Sequence, residues 1–310
     1  MIFSGIDAGG TSIKCVVVND NGDLLASVKA GHANYKIIGI DKFYQRINEV
    51  LEKAKKKSKI DRIDLVGMGI AGAFSKKEIE DLEKRLLTVN SSNTFITIDG
   101  EIALYGAFMG KPGIVIVAGT GSIVYGLTSE KEVVRAGGWG PIIGDEGSGY
   151  WIGLKGIKAA IRSMENRGEK TKLQKLIKEY FCINNLSGLV DIIYRENIPQ
   201  KDIAAVAPLV IETAYRNDKV AKKIVVEAVD ELIILIKSVL ENSNYKYKKI
   251  AVIGGIFNHE MIFEMFEEKL DIMGLKTIRP LYSPGWGAIF YALEKARMSI
   301  KLRDFIEKIK

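Results

Sequence analysis

The chain has 310 residues, of which 47% are apolar, and a formal net charge of +7. This apolar content excludes a disordered chain and is enough for a sizeable core, over a length typical of about two domains. The lysines alternate with acidic residues as on solvated helix faces, and no stretch approaches the ~20 apolar residues of a membrane span, so we expect neither a nucleic-acid nor a membrane partner.

The sequence holds two cysteines, Cys15 and Cys182. Their spacing is not that of a zinc or iron–sulfur site, and Cys15 lies in an apolar run, where cysteine is usually a small core residue. No signal-peptide pattern is present at the start of the sequence. These features together predict a cytoplasmic protein.

The first third of the chain predicts a mixture of strands and helices. Ile2–Ile6 and the run after Thr11 are apolar strands, and Asn21-Gly22 is a strong hairpin signal, so antiparallel strands are expected to open the fold. The elements that follow, in chain order, are a helix over Asp41–Lys57, a buried strand over Asp64–Gly72, a helix over Ser75–Leu87 with Ser75 as N-cap, a strand over Thr94–Gly100 that ends at Asp99, and a short helix over Ile102–Met109.

The same order of elements then starts again. The pattern strand, glycine loop, strand, turn and strand over Gly113–Gly138 repeats that of Phe3–Gly31, which indicates an internal duplication. We therefore expect a first domain over 1–112 and a second over 113–289, with a C-terminal helix at about 290–310 that could pack back on the first. The remaining predicted elements are a helical region over Leu154–Leu240, a strand and glycine pair before a helix over Lys249–Glu260, and a loop and helix over Pro280–Ala296.

Each repeat places a glycine-rich turn, Gly9–Gly10 or Gly119–Gly121, between two strands. Such turns let backbone N–H groups converge on an anion, and neither leads into a helix as a Walker or Rossmann loop does. Two turns in duplicated positions favour phosphate binding over simple hairpin turns. Asp7, at the end of the first strand, could orient a hydrated Mg²⁺. The hydroxyl residues that accompany the turns are Thr11, Thr120 and Ser122.

Four segments carry these features in order along nearly the whole chain: DAGGTSIK, VAGTGSIVYG, GGWGPIIGDEGSGYWIG and VIGGIFN. Together they resemble the actin/hexokinase-type ATPases, and most of all the N-acetylglucosamine kinases and archaeal hexokinases of the BadF/BadG/BcrA/BcrD ATPase family. The resemblance implies an α/β fold with two duplicated ribonuclease H-like domains, mixed sheets flanked by helices and a cleft between the domains. It also implies ATP and Mg²⁺ as cofactors and a sugar as the second substrate. The sequence does not give the oligomeric state, and a homodimer is one plausible assembly.

The resemblance further implies roles for individual residues. Asp99 matches the catalytic base, and Asn34 matches a ligand of sugar hydroxyls. Asp99, Trp139 and Asp145 also belong to the sugar side. Asp7 would reach the metal, through water. The residues matched to ATP are Asp7, Gly9, Gly10 and Thr11 in the first phosphate loop, Gly119, Thr120, Gly121 and Ser122 in the second, and Gly254, Gly255 and Asn258 on the adenosine side.

The segment Gly137–Gly153 combines dense glycine with two tryptophans and two adjacent carboxylates. Trp139 can cover an apolar sugar face, and Asp145 can accept hydrogen bonds from hydroxyls. The alternative is a core anchor and an exposed acidic turn. That alternative is favoured for Trp151, whereas the roles of Glu146 and Lys14 stay open.

The implied reaction transfers the γ-phosphoryl group of MgATP to a sugar hydroxyl, with the 6-OH of N-acetylglucosamine or a related hexose or amino sugar as the expected acceptor. Asp99 would accept the hydroxyl proton, although an aspartate at this place could also cap the next helix. The alternatives are a broad-specificity glucokinase or hexokinase, an activator-type ATPase that drives a partner protein, and a sugar sensor without catalysis. The chain lacks the iron–sulfur cysteines of the activators.

Overall fold

A computed structural model describes residues 1–10, 12–31, 34–73, 76–87, 93–195, 198–243, 246–296 and 301–309. Contacts between residues divide the chain into two compact units. The first unit consists of Met1–Gly113, Leu127–Val133 and Pro280–Lys310, and the second of Ile114–Gly126 and Val134–Arg279. The domain limits predicted from the sequence, 1–112 and 113–289, follow the two duplicated repeats. They stay a prediction.

Two five-stranded sheets have the same strand order. The strands are β1 (Ile2–Ala8), β2 (Ile13–Asn19), β3 (Leu24–Ala30), β4 (Leu65–Ile70), β5 (Thr94–Ile98), β6 (Gly113–Ala118), β7 (Ser122–Leu127), β8 (Val133–Gly137), β9 (Lys249–Ile253) and β10 (Lys276–Ile278). The first sheet runs β3-β2-β1-β4-β5 and the second β8-β7-β6-β9-β10. The predicted duplication is therefore visible as a repeated topology.

Both sheets contain parallel pairs at corresponding places. In the first sheet β1 pairs antiparallel with β2, and β2 with β3, as the hairpin signals predict. β1 also pairs parallel with β4, and β4 with β5. In the second sheet β6 pairs parallel with β9, and β9 with β10. Parallel strands need crossover helices, which makes these mixed sheets flanked by helices.

The helices are α1 (Tyr35–Ile38), α2 (Ile40–Ser58), α3 (Lys76–Leu87), α4 (Asp99–Phe108), α5 (Gly149–Met164), α6 (Leu173–Tyr180), α7 (Gln200–Ala204), α8 (Ala207–Tyr215), α9 (Lys219–Ser243), α10 (Glu260–Ile272), α11 (Pro284–Lys295) and α12 (Leu302–Ile309). The predicted amphipathic helix is confirmed as α2, since its apolar stripe from Phe43 through Ile47 to Val50 is buried. A π-helical turn spans Asp191–Arg195, and short 3₁₀ turns span Leu186–Gly188 and Gly255–Asn258.

The prediction for the end of β5 needs a correction. The strand ends at Ile98, and α4 begins at Asp99 rather than at Ile102. The pairing of β4 with β5 stops at Ile70 and Ile98. Acidic residues then favour a helix start, because Asp99 and Glu101 lie in the first turn, where the helix dipole is positive. The predicted N-cap Ser75 lies outside the described residues.

Helix α11 lies close against the first sheet because glycines line the contact. A Cβ on Gly5 would come within 1.8 Å of the carbonyl O of Gly285, and one on Gly67 within 1.9 Å of the carbonyl O of Ala288. Such distances leave no room for a side chain. The close fit explains why α11, distant in sequence, belongs to the first unit.

The second unit has its own core around the long helix α9 (25 residues). Residues such as Leu232 and Ile236 of α9 are buried together with apolar residues of β6 and β9. Among the helices described, none is both long and apolar enough to cross a membrane.

Candidate active site

Three parallel strands of the first unit end side by side. Ala8 of β1 pairs with Ile70 of β4, which pairs in turn with Ile98 of β5. Asp7 precedes this row and Asp99 follows it. Since neighbouring strands are about 4.8 Å apart, the backbones of β1 and β5 are about 10 Å apart. Ligands of α/β sheets bind at this carboxyl edge. Asp7 and Asp99, the two predicted carboxylates, therefore both lie at the edge where a substrate is expected to bind.

Asp7 is half-buried and pairs across the hairpin with Lys14, so the two side chains share one face of the sheet. Burial raises the pKa of the Asp7 carboxyl above its usual range, and the ammonium group of Lys14 offsets part of this effect. A desolvated carboxylate favours a cation, because a partner of opposite charge reduces the cost of its burial.

The first glycine turn follows Asp7 directly. The N–H of Gly9 donates to the carbonyl O of Ser12 at 3.1 Å, which closes the turn. Gly10 is exposed at its tip. Thr11, predicted to bind phosphate, lies outside the described residues.

Asn34 lies at the same edge of the first sheet. Its Oδ1 accepts a hydrogen bond from the N–H of Lys36 at 3.1 Å and so caps α1. A Cβ on Gly72, two residues after β4, would lie 3.2 Å from that oxygen. The Asn34 amide therefore lies beside the end of β4, the strand between β1, which carries Asp7, and β5, which Asp99 follows.

Asp99 is half-buried as the first residue of α4, and its Oδ1 accepts the N–H of Gly100 at 2.8 Å. Its backbone is fixed on one side by the sheet and on the other by the helix. Asp99 is the first residue of α4 and not its N-cap, which is Ile98. Its role as the catalytic base stays a prediction.

The second unit brings the other two predicted ATP segments together. Val117 of β6 pairs with Ile253 of β9, so the loop from Gly119 and the turn at Gly254 leave adjacent strands at the same edge. Gly254 has φ +114°, and a Cβ there would lie 2.1 Å from the carbonyl O of Ala118. Only glycine fits such a contact. Asn258 is exposed at the end of the 3₁₀ turn that follows.

The hydroxyl of Ser122 is bonded within the protein, and its predicted role at a phosphate stays a prediction. This hydroxyl, expected to face a phosphate, donates to the carbonyl O of Glu146 at 2.6 Å. The backbone N–H of Ser122 offsets part of the rise that burial causes in the pKa of the Asp145 carboxyl. The hydroxyl is engaged within the protein, so this bond does not support phosphate binding by the Ser122 hydroxyl. The reason is the fold of the segment after β8, which the sequence could not show.

Asp145 is 8% exposed and has φ +60°, a left-handed conformation that aspartate adopts more readily than most residues other than glycine. Burial raises the pKa of its carboxyl, and the backbone N–H groups of Ser122 and Gly140 offset part of this effect. A Cβ on Gly121 would lie 2.7 Å from its Oδ2. The structure thus places Asp145 against the second glycine loop.

Trp139 is 60% exposed, and the guanidinium of Arg135 lies 4.8 Å from its ring centroid. An exposed indole with a cation on one face is available for a sugar on the other. Arg135 was missed by the sequence prediction, because β8 ends at Gly137 and two successive glycines with positive φ, Gly137 and Gly138, turn the chain before Trp139. Trp151 packs at the edge of the core of the second unit, as expected, with Lys155 over its ring.

Three glycines of the predicted ATP segments share an unusual environment. Apart from its two chain neighbours, no atom of the described residues would lie within 4 Å of a Cβ on Gly10, Gly119 or Gly255, and none of the three has a positive φ. Among the glycines whose surroundings are described, Gly31 is the other with both properties. Neither packing nor backbone conformation requires glycine here, and the close approach of a ligand is a physical reason that remains.

Comparison with known proteins identifies the family. The model of the BadF/BadG/BcrA/BcrD ATPase family matches residues 4–292. The chain belongs to this family. A family relative from Clostridium acetobutylicum, named N-acetylmuramic acid/N-acetylglucosamine kinase, is 31% identical over 296 residues, which cover 93% of this chain and 97% of the relative. The N-acetyl-D-glucosamine kinase of Dictyostelium discoideum is 29% identical over 96% of this chain and 99% of its own length.

Solved structures confirm the predicted fold. A protein from Chromobacterium violaceum with the provisional name N-acetylglucosamine kinase superposes with a TM-score of 0.79 at 23% identity, over 94% of this chain and 98% of the other. A glucokinase from Streptomyces griseus, solved with glucose and AMPPNP, gives a TM-score of 0.54 at 17% identity, over 96% and 99% of the two chains. These structural similarities show that this chain has the actin/hexokinase-type fold.

Proposed function

We propose that this protein transfers the γ-phosphoryl group of MgATP to a hydroxyl, the 6-OH, of N-acetylglucosamine or a related hexose or amino sugar. Membership of an ATPase family and the kinase names of relatives that span nearly the whole chain support the reaction class. A third relative, from Vibrio cholerae, is named glucosamine kinase and is 26% identical over 71% of this chain. All three names concern amino sugars.

One observation carries the nucleotide part of the proposal. At Gly10, Gly119 and Gly255 a Cβ would meet no atom within 4 Å in the part of the chain that the structure describes, the two chain neighbours of each glycine aside. A polyphosphate bound by backbone N–H groups needs this clearance, because a side chain at these positions would hold the phosphate oxygens away from the amides. Two of these glycines lie in loops that follow equivalent first strands, β1 and β6, of the two sheets.

The residues present fit a magnesium ion held through the nucleotide. No group of three or more acidic, histidine or cysteine side chains suited to a metal occurs within the described ranges. Mg²⁺ does not need one, since it is commonly bound by one or two carboxylates together with phosphate oxygens and water. Asp7 would supply that carboxylate, and the ion would neutralise phosphate charge.

Replacing Asp7 with asparagine is expected to stabilise the protein and weaken its Mg²⁺-dependent binding of ATP. The folded-state pKa of Asp7 is raised, so its ionised form destabilises the native state above that pKa, and this penalty fades as the pH falls through it. At pH 7 the variant should therefore unfold at a higher temperature, and the difference should shrink in acid. Thermal unfolding at several pH values and ATP titrations with Mg²⁺ or EDTA measure both effects. A variant that unfolds at a lower temperature at pH 7, or that keeps the full Mg²⁺ dependence, contradicts the assignment.

The residues of this chain would divide the chemistry as follows. Asn34 and Trp139 would hold the sugar, by its hydroxyls and by one apolar face. Asp99 would accept the proton of the attacking hydroxyl while the oxygen of that hydroxyl bonds to the γ-phosphorus and ADP leaves. The loops from Gly9 and Gly119 would hold the phosphates by their amides.

A screen for ADP release tests the proposal. The purified protein is incubated with MgATP and, separately, N-acetylglucosamine, N-acetylmuramic acid, glucosamine, glucose, mannose or no sugar. ADP formed in proportion to one amino sugar, with the sugar phosphate recovered, supports the proposal. Preference for glucose would indicate a hexokinase, and ADP release that depends on a protein partner but on no sugar would indicate an activator-type ATPase. The Asp99→Asn variant, prepared in the same way, excludes a contaminating kinase.

A further inference from the structure

Asn34, the residue matched to the sugar, begins a helix that is too short to hold its own position. α1 consists of Tyr35–Ile38, and none of its residues is buried. It ends at Gly39, whose φ of +81° separates it from α2. Isolated helices shorter than about 12–15 residues are marginal in water. The place of α1 therefore depends on contacts of its side chains with the rest of the first unit.

The backbone just after β4 provides one part of these contacts. Gly72 has φ +85°, and it lies against the Asn34 amide, because an added Cβ would come within 3.2 Å of Oδ1 and 3.4 Å of Nδ2. The carbonyl O of the same glycine lies 3.5 Å from the hydroxyl O of Tyr35. Gly72 therefore contacts both Asn34 and α1, but its hydrogen bond to Tyr35 is long.

Glu78, in the first turn of α3, provides the other part. Its Oε1 accepts the hydroxyl of Tyr35 at 3.3 Å and lies 2.9 Å from the ammonium N of Lys36. Of the two acceptors near the Tyr35 hydroxyl, the charged carboxylate makes the stronger bond. Burial, and after it the charge of Glu78, raises the pKa of the Tyr35 hydroxyl to about 12, so this group stays a donor at neutral pH. One carboxylate thus contacts the two residues that directly follow Asn34.

Glu78 can serve as a fixed point because α3 is anchored in the core of the first unit. Leu82, one turn further along α3, is 2% exposed in that core. Tyr35 and Ile38 pack at the edge of the same core, and the ring of Tyr35 meets that of Phe43 edge-on at 6.1 Å. Apolar contact is non-directional, so it does not by itself fix the orientation of α1. A hydrogen bond does, because it requires a particular angle between donor and acceptor.

We propose that Glu78 is a positioning residue, which binds Tyr35 and Lys36 and so holds the amide of Asn34 where it contacts the sugar. This inference rests on the proposed function. Because Oδ1 of Asn34 accepts the N–H of Lys36 as the helix cap, the NH₂ group is the part of the amide that would donate to a sugar oxygen. A shift of α1 would withdraw this donor without disturbing the glycine loops. Glu78 therefore affects the affinity for sugar and not the affinity for ATP.

The test measures the KM for sugar, the KM for MgATP and kcat in Glu78→Ala, with N-acetylglucosamine, or another sugar that the ADP-release screen selects, as the varied substrate. The pair with Lys36 is exposed to solvent, and such ion pairs contribute little. The net value of the remaining hydrogen bond corresponds to about a two- to tenfold change in an equilibrium, and we expect the KM for sugar to rise by about that factor. The KM for MgATP and kcat should match the parent, because the loss concerns binding that the ground state and the transition state share. The matched control is Glu80→Ala, at an exposed position of the same helix, which should leave all three values unchanged.

A second pair of variants keeps the proposal testable if Glu78→Ala does not fold. Tyr35→Phe removes the donor and keeps the ring beside Phe43, so the KM for sugar should rise as in Glu78→Ala. Its control is Tyr44→Phe, because the hydroxyl of Tyr44 donates to the carbonyl O of Leu82 on α3 at 3.3 Å and its ring meets that of Phe43 at 5.5 Å. This control also loses a bond between a tyrosine and α3, but the tyrosine belongs to α2. We expect its KM for sugar to match the parent.

A double-mutant cycle with Asn34 separates positioning from general stability. Asn34→Ser keeps an N-cap for α1, because serine is about as favourable there as asparagine, and it removes the amide. If Glu78 acts through this amide, Glu78→Ala should raise the KM for sugar in the parent but have no further effect in Asn34→Ser.

The outcomes separate the inference from the proposed function. A parent protein that forms no ADP with any sugar of the screen contradicts the proposed function. A parent protein that phosphorylates a sugar, but whose KM for that sugar is unchanged in folded Glu78→Ala or Tyr35→Phe, leaves the kinase assignment intact and overturns the inference. An equal rise in Tyr44→Phe, or an equal effect of Glu78→Ala in the parent and in Asn34→Ser, also overturns it, because Glu78 would then act on the fold and not through the amide.

Discussion

Replacing Asp99 with asparagine is expected to lower the rate of phosphoryl transfer by about 10²–10⁴, the usual contribution of a general base. A sugar hydroxyl is a weak nucleophile, and the carboxylate accepts its proton as the new P–O bond forms. Asparagine keeps the shape and one acceptor oxygen but is not basic. ATP binding should survive, because the phosphates are assigned to the glycine loops. Sugar-dependent ADP release and ATP titration measure the two properties.

The control for Asp99 must address its position at the start of α4. Loss of a negative charge in a first helical turn costs about 0.3–1 kcal/mol of stability. Asp41→Asn makes the same change in the first turn of α2, where the side chain is exposed, and it should leave transfer unchanged. If Asp99→Asn is folded and transfers phosphate at the rate of Asp41→Asn, then Asp99 is a helix-start residue and the proposed mechanism is wrong.

Replacing Gly10 with valine is expected to weaken ATP binding at least about tenfold, or by 1.4 kcal/mol, without disturbing the fold. The position is exposed and has no positive φ, and a Cβ there would lie more than 4 Å from every atom of the described residues other than its two chain neighbours. The branched side chain would instead occupy the space proposed for phosphate. Thermal unfolding should match the parent, while calorimetric titration with MgATP should show the loss.

Two comparisons sharpen this experiment. Gly31→Val introduces the same side chain into a second open position and should bind ATP as the parent does. Gly121→Val is unsuitable, because the side chain would collide with the Asp145 carboxylate and disturb the loop from within. Unchanged ATP affinity in folded Gly10→Val would mean that the first glycine turn is only a hairpin connection.

The candidate site could be predicted where its residues follow strands. Asp7, Gly10 and Gly119 lie at strand ends that periodicity and glycine placement indicate, because a strand followed by glycine is a local pattern. The bond of Ser122 to Glu146 and the contact of Asp145 with Gly121 could not be predicted, since they join positions more than twenty residues apart through a turn with no regular period. The stack of Arg135 on Trp139 depends likewise on how the chain leaves β8.

The sequence by itself determined the duplicated order of strands, the amphipathic face of α2, the glycine loops and the family, because each is written in local periodicity or in short motifs. The domain limits, the cytoplasmic location and the homodimer stay predictions from the sequence.

Only the tertiary structure decided that α11 joins the first unit, because the contacts of Gly5 and Gly67 with the backbone of α11 join residues that lie far apart in the sequence. It also decided that α4 begins at Asp99, since the strand ends where its pairing with β4 ends. Local propensity could not determine that register, which depends on the neighbouring strand.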